Sequence, residues 1–279
     1  MIIIVGLGTL GTRVLTHLSQ YEKILCIDYD TVEDKNAYRQ YPPAAVGMRK
    51  VEAARKYIRK DVDILHKHID WSTVSLLHDA EIVLDCTDNM LVRYVINDYC
   101  AKNGIPWIHG GLNDSVGTVA TISSQGPCYQ CIYPRGAGED CGPQLDLKIA
   151  DKVADAMVLS IMKMRARTET TFTRVTNGTP LFLDVERRPG CPTCNADYRY
   201  LKPHDYYITF CTSAHCMSAK PVHAKHHDWG EGEQVTVQGV PCSVFANGEI
   251  HFHKNASDDI LHDIAEKIYE KRFRRKTHT

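Results

Sequence analysis

The apolar run Ile2-Ile3-Ile4-Val5 passes without a break into Gly6-Leu7-Gly8-Thr9-Leu10-Gly11, and this junction reads as strand, tight turn, helix. A buried parallel strand is a short continuous run of β-branched residues, and the glycines let the backbone turn sharply and approach a phosphate at a helix N-terminus. A second apolar strand, Ile24-Leu25-Cys26-Ile27, ends in Asp28-Tyr29-Asp30. Its acidic end lies about 20 residues after the glycines, where a carboxylate takes a ribose hydroxyl. These features define a nucleotide site and leave NAD and ATP both open.

The next stretch separates them. Asp30 to Gln40, followed by Gly47-Met48-Arg49-Lys50, gathers Lys35, Asn36, Arg39, Gln40 and Lys50. A dinucleotide needs no such cluster of cations and amides, whereas a triphosphate spreads charge over several oxygens that Arg, Lys and Asn neutralise. A helix over 48–60, with Val51, Ala54 and Ile58 on one side, puts Lys50 at its start. Ile64 to Ile69 reads as a third strand and Ile82 to Asp85 as a fourth. Cys86-Thr87-Asp88-Asn89 then stands at the strand end, where open α/β sheets place ligand-binding residues. Asp88-Asn89 also reads as the N-cap of a helix running to Cys100, and the two roles are compatible. Ile105 to Gly111 is a fifth strand entering a glycine turn, and Val116 to Ile122 a sixth.

The pattern of glycine loop, acidic strand end, Asn two residues before Arg-Gln, later Lys and Thr-Asp-Asn resembles the ThiF/MoeB family of ubiquitin-activating-type adenylyltransferases. Arg93, Asn97 and Cys100 follow at the family's spacing. The resemblance implies a Rossmann-like α/β fold with a mostly parallel sheet, and ATP with Mg²⁺ as the bound species. It implies a nucleotide-binding set of Gly6, Gly8, Gly11, Asp28, Asp30, Asn36, Arg39, Gln40, Lys50, Asp88 and Asn89. Within that set the glycines face phosphate, Asp28 takes the ribose, Asn36, Arg39 and Lys50 take the phosphates, and Asp88 holds the metal; Arg39, Lys50 and Asp88 are also the catalytic candidates. The implied reaction is attack of a substrate carboxylate on the α-phosphorus, leaving an acyl-adenylate and pyrophosphate. The expected substrate is the C-terminal glycine of a ubiquitin-like or sulfur-carrier protein. A small carboxylate of cofactor biosynthesis and a non-catalytic scaffold are the alternatives. A nicotinamide-dependent dehydrogenase shares the glycine loop and Asp28 but has no use for Asn36, Arg39, Lys50 and Asp88 together.

Two Cys-x-x-Cys hooks, Cys128/Cys131 and Cys191/Cys194, complete a closed tetrahedral site if they grip one ion. The gap of about 60 residues exceeds that of a compact zinc ribbon, so spacing alone also allows two redox pairs. The resemblance favours structural Zn²⁺, because many ThiF/MoeB proteins place one hook before and one after a crossover helix. Four sulfurs leave the ion no open position, so it ties the C-terminal part to the sheet. Between the hooks, Cys141 sits in a glycine-rich loop that corresponds to the loop where some relatives carry a sulfur or thioester nucleophile. It is the fourth catalytic candidate, although Glu139 and Asp140 beside it raise a thiol pKa. A helix from about Leu145 to Met164 follows, its apolar face suited to core or dimer contacts. Relatives are mostly two-fold dimers, so a homodimer is expected, with Met157 to Met164 offering surface.

The 279 residues are expected to divide into a nucleotide and metal domain, 1–196, and a small α+β domain, 197–279. The second has short strands at Tyr206–Phe210, Gln234–Val237, Cys242–Ala246 and Glu249–Phe252, the last two joined through Asn247-Gly248, and a final helix from Ile260 to Lys271. Cys211, His215, Cys216, His223, His226, His227, His251 and His253 lack a closed ligand spacing, and surface histidines are the commoner reading. Net charge is −1, which gives no reason to expect a nucleic-acid partner, and Lys271 to Lys276 reads as a solvated helix end. The first residues already form the nucleotide-binding strand, so neither a signal peptide nor a membrane partner is expected. The eleven cysteines then point to a reducing, cytoplasmic setting.

Overall fold

The computed structural model describes residues 1–18, 22–113, 116–123, 125–134, 146–166, 169–202, 206–211, 216–221, 233–244 and 250–252, together with 260, 261, 263–265, 267 and 268. They form two compact units, and Tyr198 to Lys202 belong with the first. Cys141 and the Asn247-Gly248 turn lie outside the described residues, as do Ser257 to Asp259.

The first unit is built on an eight-stranded sheet. β1 (Ile2–Val5) is wholly buried, as a four-residue β-branched run between helical layers must be. α1 (Thr9–His17) follows it and turns Leu10, Val14 and Leu15 inward. β2 (Ile24–Asp28), α2 (Lys50–Tyr57), β3 (Asp63–His66) and β4 (Ile82–Asp85) come next, then α3 (Met90–Asn103), β5 (Trp107–Asn113) and β6 (Val116–Ile122). After the first cysteine hook and its single turn α4 (Tyr129–Ile132) come α5 (Leu147–Ala166), β7 (Thr171–Val175) and β8 (Leu181–Leu183). The strand order is β3-β2-β1-β4-β5-β6-β7-β8. The first five strands in that row are mutually parallel, and the last three pair antiparallel. β1 lies between β2 and β4, so the order reverses beside it and opens a crevice at the strands' C-terminal ends.

Gly110 and Gly111 are strand residues of β5, not the turn expected from the sequence. Side chains alternate across a strand. Trp107 and His109 face Tyr129 of α4, with ring centroids 5.4 and 4.9 Å away. Gly110 faces the other layer, where a Cβ would stand 2.3 Å from Met157 Sδ and 2.5 Å from Leu10 Cδ2. Glycine there lets α1 and α5 lie against the sheet. α5 buries Val153, Ala154, Met157, Ile161 and Met164 in this core and leaves Leu159 and Met162 exposed. Met157 and Met164 are therefore core residues rather than dimer surface.

β7 and β8 have no counterpart among the elements expected from the sequence. Thr171-Phe172-Thr173-Arg174-Val175 carries only a weak alternation, and all three residues of β8 are exposed on the sheet edge. Their strand state is fixed by pairing, β7 to β6 and β8 to β7, and Thr121 of β6 and Thr171 of β7 also join through their hydroxyls at 2.8 Å.

The second unit contains a five-stranded antiparallel sheet, β9 (Tyr206–Cys211), β10 (Cys216–Pro221), β11 (Glu233–Val237), β12 (Val240–Val244) and β13 (Ile250–Phe252), in the order β11-β12-β13-β10-β9. Gln238 and Gly239 both have positive φ, 52° and 75°, and make the tight turn between β11 and β12. Leu261, Ile264, Ala265 and Ile268, in the helical residues within 260–268, pack with Val240, Cys242, Val244, Ile250 and Phe252. Among the described residues no helix is long and apolar enough to cross a membrane.

Candidate functional site

The crevice beside β1 is shaped by the glycine loop. Gly6 has φ +89°, a conformation that L side chains rarely adopt, and a Cβ on Gly11 would stand 1.9 Å from the Gly6 carbonyl oxygen. Gly8 is the N-cap of α1, with open space where its Cβ would be. No side chain caps this helix and its first turn carries no acid, which leaves N–H groups and the positive end of the helix dipole for an anion.

Asp28, buried at the end of β2, staples the loop. One oxygen accepts the Leu7 N–H at 2.6 Å and the other the Asp30 N–H at 2.7 Å. Burial pushes its carboxyl up against the downward pull of Lys50. Lys50, 9% exposed, pairs with Asp30 at 2.7 Å and donates its own N–H to the Asp30 carbonyl at 2.9 Å. A lysine at the start of α2 is thus held on the strand end opposite the glycines.

The segment from 33 to 40 divides by role. Asn36 is buried, and its side-chain oxygen accepts the Glu33 N–H at 2.9 Å to close a capping box. Gln40 donates to Thr9 Oγ1 at 3.0 Å, fixing the segment to the first turn of α1. Arg39 is exposed and meets no carboxylate among the described residues, while its carbonyl accepts Arg13 Nη1 at 3.4 Å.

Across the crevice, Asp88 is exposed, and its charge raises the pKa of Tyr29 and Lys35 on the facing segment, after the larger effects of burial on Tyr29 and of Glu33 on Lys35. Asn89 is the N-cap of α3 and accepts the N–H groups of Leu91 (2.9 Å) and Val92 (3.3 Å). Thr87, the residue before Asp88, is held from below. Asp85, wholly buried, accepts the Thr87 hydroxyl at 2.6 Å and the Thr87 N–H at 3.1 Å, while Arg93 Nη2 donates to the Thr87 carbonyl at 2.6 Å. His109 Nδ1 lies 2.8 Å and Arg93 Nε 3.6 Å from the other Asp85 oxygen. The second ring nitrogen of His109 is buried without a hydrogen-bond partner. Asp85 and His109 are not recognisable as a pair in the sequence, because they meet only when β4 pairs with β5. Cys86 is buried, which raises its thiol pKa well above the ordinary value, as does Asp85, so it is unsuited to act as a nucleophile.

The two hooks converge on one point. Cys128 Sγ lies 3.9 Å from Cys131 and 3.4 Å from Cys191, and Cys131 lies 3.5 Å from Cys194; all four sulfurs fall within 4.8 Å of one another. Zn–S bonds of about 2.3 Å place tetrahedral sulfurs about 3.8 Å apart, which this donor set matches, whereas a disulfide requires about 2.05 Å. Hydrogen bonds from Cys128 and Cys191 hold the Cys131 thiol well below its usual range, and the same crowding pushes Cys128 up. The Arg188 N–H also points at Cys131 Sγ at 3.3 Å. The set would hold a tetrahedral Zn²⁺ with no position left for substrate. Among the described residues there is no second cluster of metal-ligand type. Of the tail's candidates, His215, His223, His226, His227 and His253 lie outside them.

A model of the ThiF family matches residues 1–194, and the chain belongs to that family. It is 32% identical over 154 residues to the SAMP-activating enzyme E1 of Haloferax volcanii, a match covering 50% of this chain and 57% of that protein. It is 36% identical over 155 residues to the adenylyltransferase and sulfurtransferase UBA4 of Candida albicans, covering 50% of this chain and 34% of that one. The matched region is thus little more than half of these relatives' length or less. Among solved structures, the crystal structure of E. coli MccB with ATP superposes with a TM-score of 0.59 at 19% identity, over 69% of this chain and 66% of that one. That likeness is one of fold.

Proposed function

We propose that this protein activates a carboxylate with ATP and Mg²⁺, joining it to AMP with release of pyrophosphate, and that the carboxylate is the C-terminal glycine of a ubiquitin-like or sulfur-carrier protein. The observation that carries this reading is the meeting, at one crevice of a ThiF-family fold, of a bare helix N-terminus, a buried lysine and an exposed acid. The open amides of α1 would receive phosphate oxygens, Lys50 and Arg39 would neutralise their charge, and Asp88 would hold Mg²⁺. When bound, ATP supplies an α-phosphorus with a good leaving group, and the chain's work is positioning and charge neutralisation. Asp28 and Asp30 keep the loop and Lys50 in place before the nucleotide arrives. Zn²⁺ in the four-cysteine site is structural. The names of the relatives support a protein substrate.

The protein is proposed to act in the cytoplasm as a homodimer. Leu159, Met162 and Leu181 to Leu183 are exposed apolar residues that would serve the contact, with Lys163 lying over the Phe182 ring at 5.9 Å. The deciding experiment is ATP:pyrophosphate exchange with a purified ubiquitin-like protein ending in glycine. Exchange dependent on that terminus supports the reading; ATP binding with no exchange from any carboxylate identifies a scaffold. A thiol-sensitive adduct lost only in Cys141→Ala would show that the acyl group passes to that sulfur.

A further inference from the structure

Asn97 and Asp98, adjacent on α3 and both wholly buried, are tied into the four-cysteine site without touching a sulfur. Asn97 Oδ1 accepts the N–H of Tyr129, which lies inside the first hook, at 2.8 Å. Asn97 Nδ2 donates to Oγ1 of Thr193, inside the second hook, at 3.0 Å. The Thr193 hydroxyl donates in turn to Asp98 at 2.5 Å, and the other Asp98 oxygen accepts the Tyr200 N–H at 3.0 Å. One amide side chain therefore spans two segments whose cysteines are 63 residues apart.

None of these bonds involves a metal ion. Bringing two distant hooks together costs loop-closure entropy, and any interaction that closes the loop beforehand removes that cost from metal binding. Asparagine is the side chain that suits the position, since one acceptor and one donor are needed at once. Aspartate would lose the donor and set a second carboxylate beside Asp98, and leucine would keep the volume but lose both bonds.

We propose that Asn97 is a positioning residue of the four-cysteine site, its amide holding the two hooks in register so that metal retention is governed by a side chain outside the ligand set. The proposal rests on the reading of that cluster as a zinc site.

The test loads the purified full-length chain with one equivalent of Zn²⁺ and follows its release to a chromogenic chelator, alongside melting curves of the loaded and metal-stripped forms. Asn97→Leu is expected to release zinc about 10- to 100-fold faster than wild type, with a smaller gain in melting temperature on loading. Thr193→Val, which removes only the bridging hydroxyl, should shift release in the same direction, and Thr193→Ser should restore it. Wild-type release from Asn97→Leu, or equal destabilisation of its loaded and stripped forms, overturns the proposal. If Asn97→Leu does not fold, unchanged release from Thr193→Val overturns it. Failure of the wild-type chain to retain zinc would instead refute the metal reading itself.

Discussion

At the head of α3, Asp88 is exposed and has no ion-pair partner among the described residues, whereas farther along the same helix Asn97 and Asp98 are wholly buried with all four side-chain polar atoms hydrogen-bonded. One helix thus serves two sites under opposite rules. A nucleotide site keeps some charge uncommitted so that a ligand can use it, while a structural knot saturates every group because an unpaired polar atom in the interior is costly. The nucleotide end also holds committed groups: Asp85, Thr87, Arg93 and Asp28 fix the loops from which Asp88, Arg39 and the amides of α1 face outward. The contrast predicts that substitutions at the knot are read as stability and substitutions on the open face as activity.

The largest effect is expected at the knot. Cys191→Ser should leave the chain without stoichiometric zinc and lower its melting temperature strongly, because structural zinc sites contribute on the order of 10 kcal/mol of binding free energy to the folded state. Metal analysis and thermal denaturation check this, and a fully stable, zinc-free variant would remove the distinction between the two ends. Next, Asp88→Ala and Lys50→Ala should each cut carboxylate-dependent pyrophosphate exchange by about 100-fold or more. Asp88→Ala should melt with the wild type, since its side chain is exposed; a drop comparable to that of Cys191→Ser would break the comparison.

Gly11→Ala sharpens it, because this residue belongs to the nucleotide loop yet is structurally committed: its new Cβ would collide with the Gly6 carbonyl. A destabilisation of about 1–3 kcal/mol is expected, measured by denaturant unfolding together with loss of ATP binding. The smallest effect lies away from both sites. Arg165 bridges Glu22 and Glu81 at 2.7 Å each and holds both carboxyls below their ordinary value. Such a depressed carboxyl contributes stability above its unfolded pKa and loses it as pH falls through the folded value. Arg165→Ala should therefore cost at most about 1 kcal/mol at pH 7, and the difference from wild type should vanish in unfolding curves taken well below pH 4.5.

The parts legible in the chain were those whose chemistry is local. The glycine loop, the acidic end of β2, Lys50 at the start of α2, the Asn89 cap and the paired hooks depend on backbone stereochemistry and short spacings, so residue order alone specifies them. The capping role of Asn36 was not legible, since an amide looks the same in sequence whichever donor it meets.

What only the tertiary structure decided depends on which distant elements become neighbours. β7 is a strand because β6 offers it an edge, and β8 because β7 then does; Gly110 is a packing glycine because α1 and α5 cross over it; Asp85 finds His109 across 24 residues, and Asn97 finds Thr193 across 96. Residue order sets which groups a segment can offer, but the order of strands in the sheet sets which of them meet. The four cysteines show both in one site: each hook is written in three-residue spacing, and the single cluster they form exists only where the fold brings the two hooks together, with Asn97 of α3 hydrogen-bonded to both.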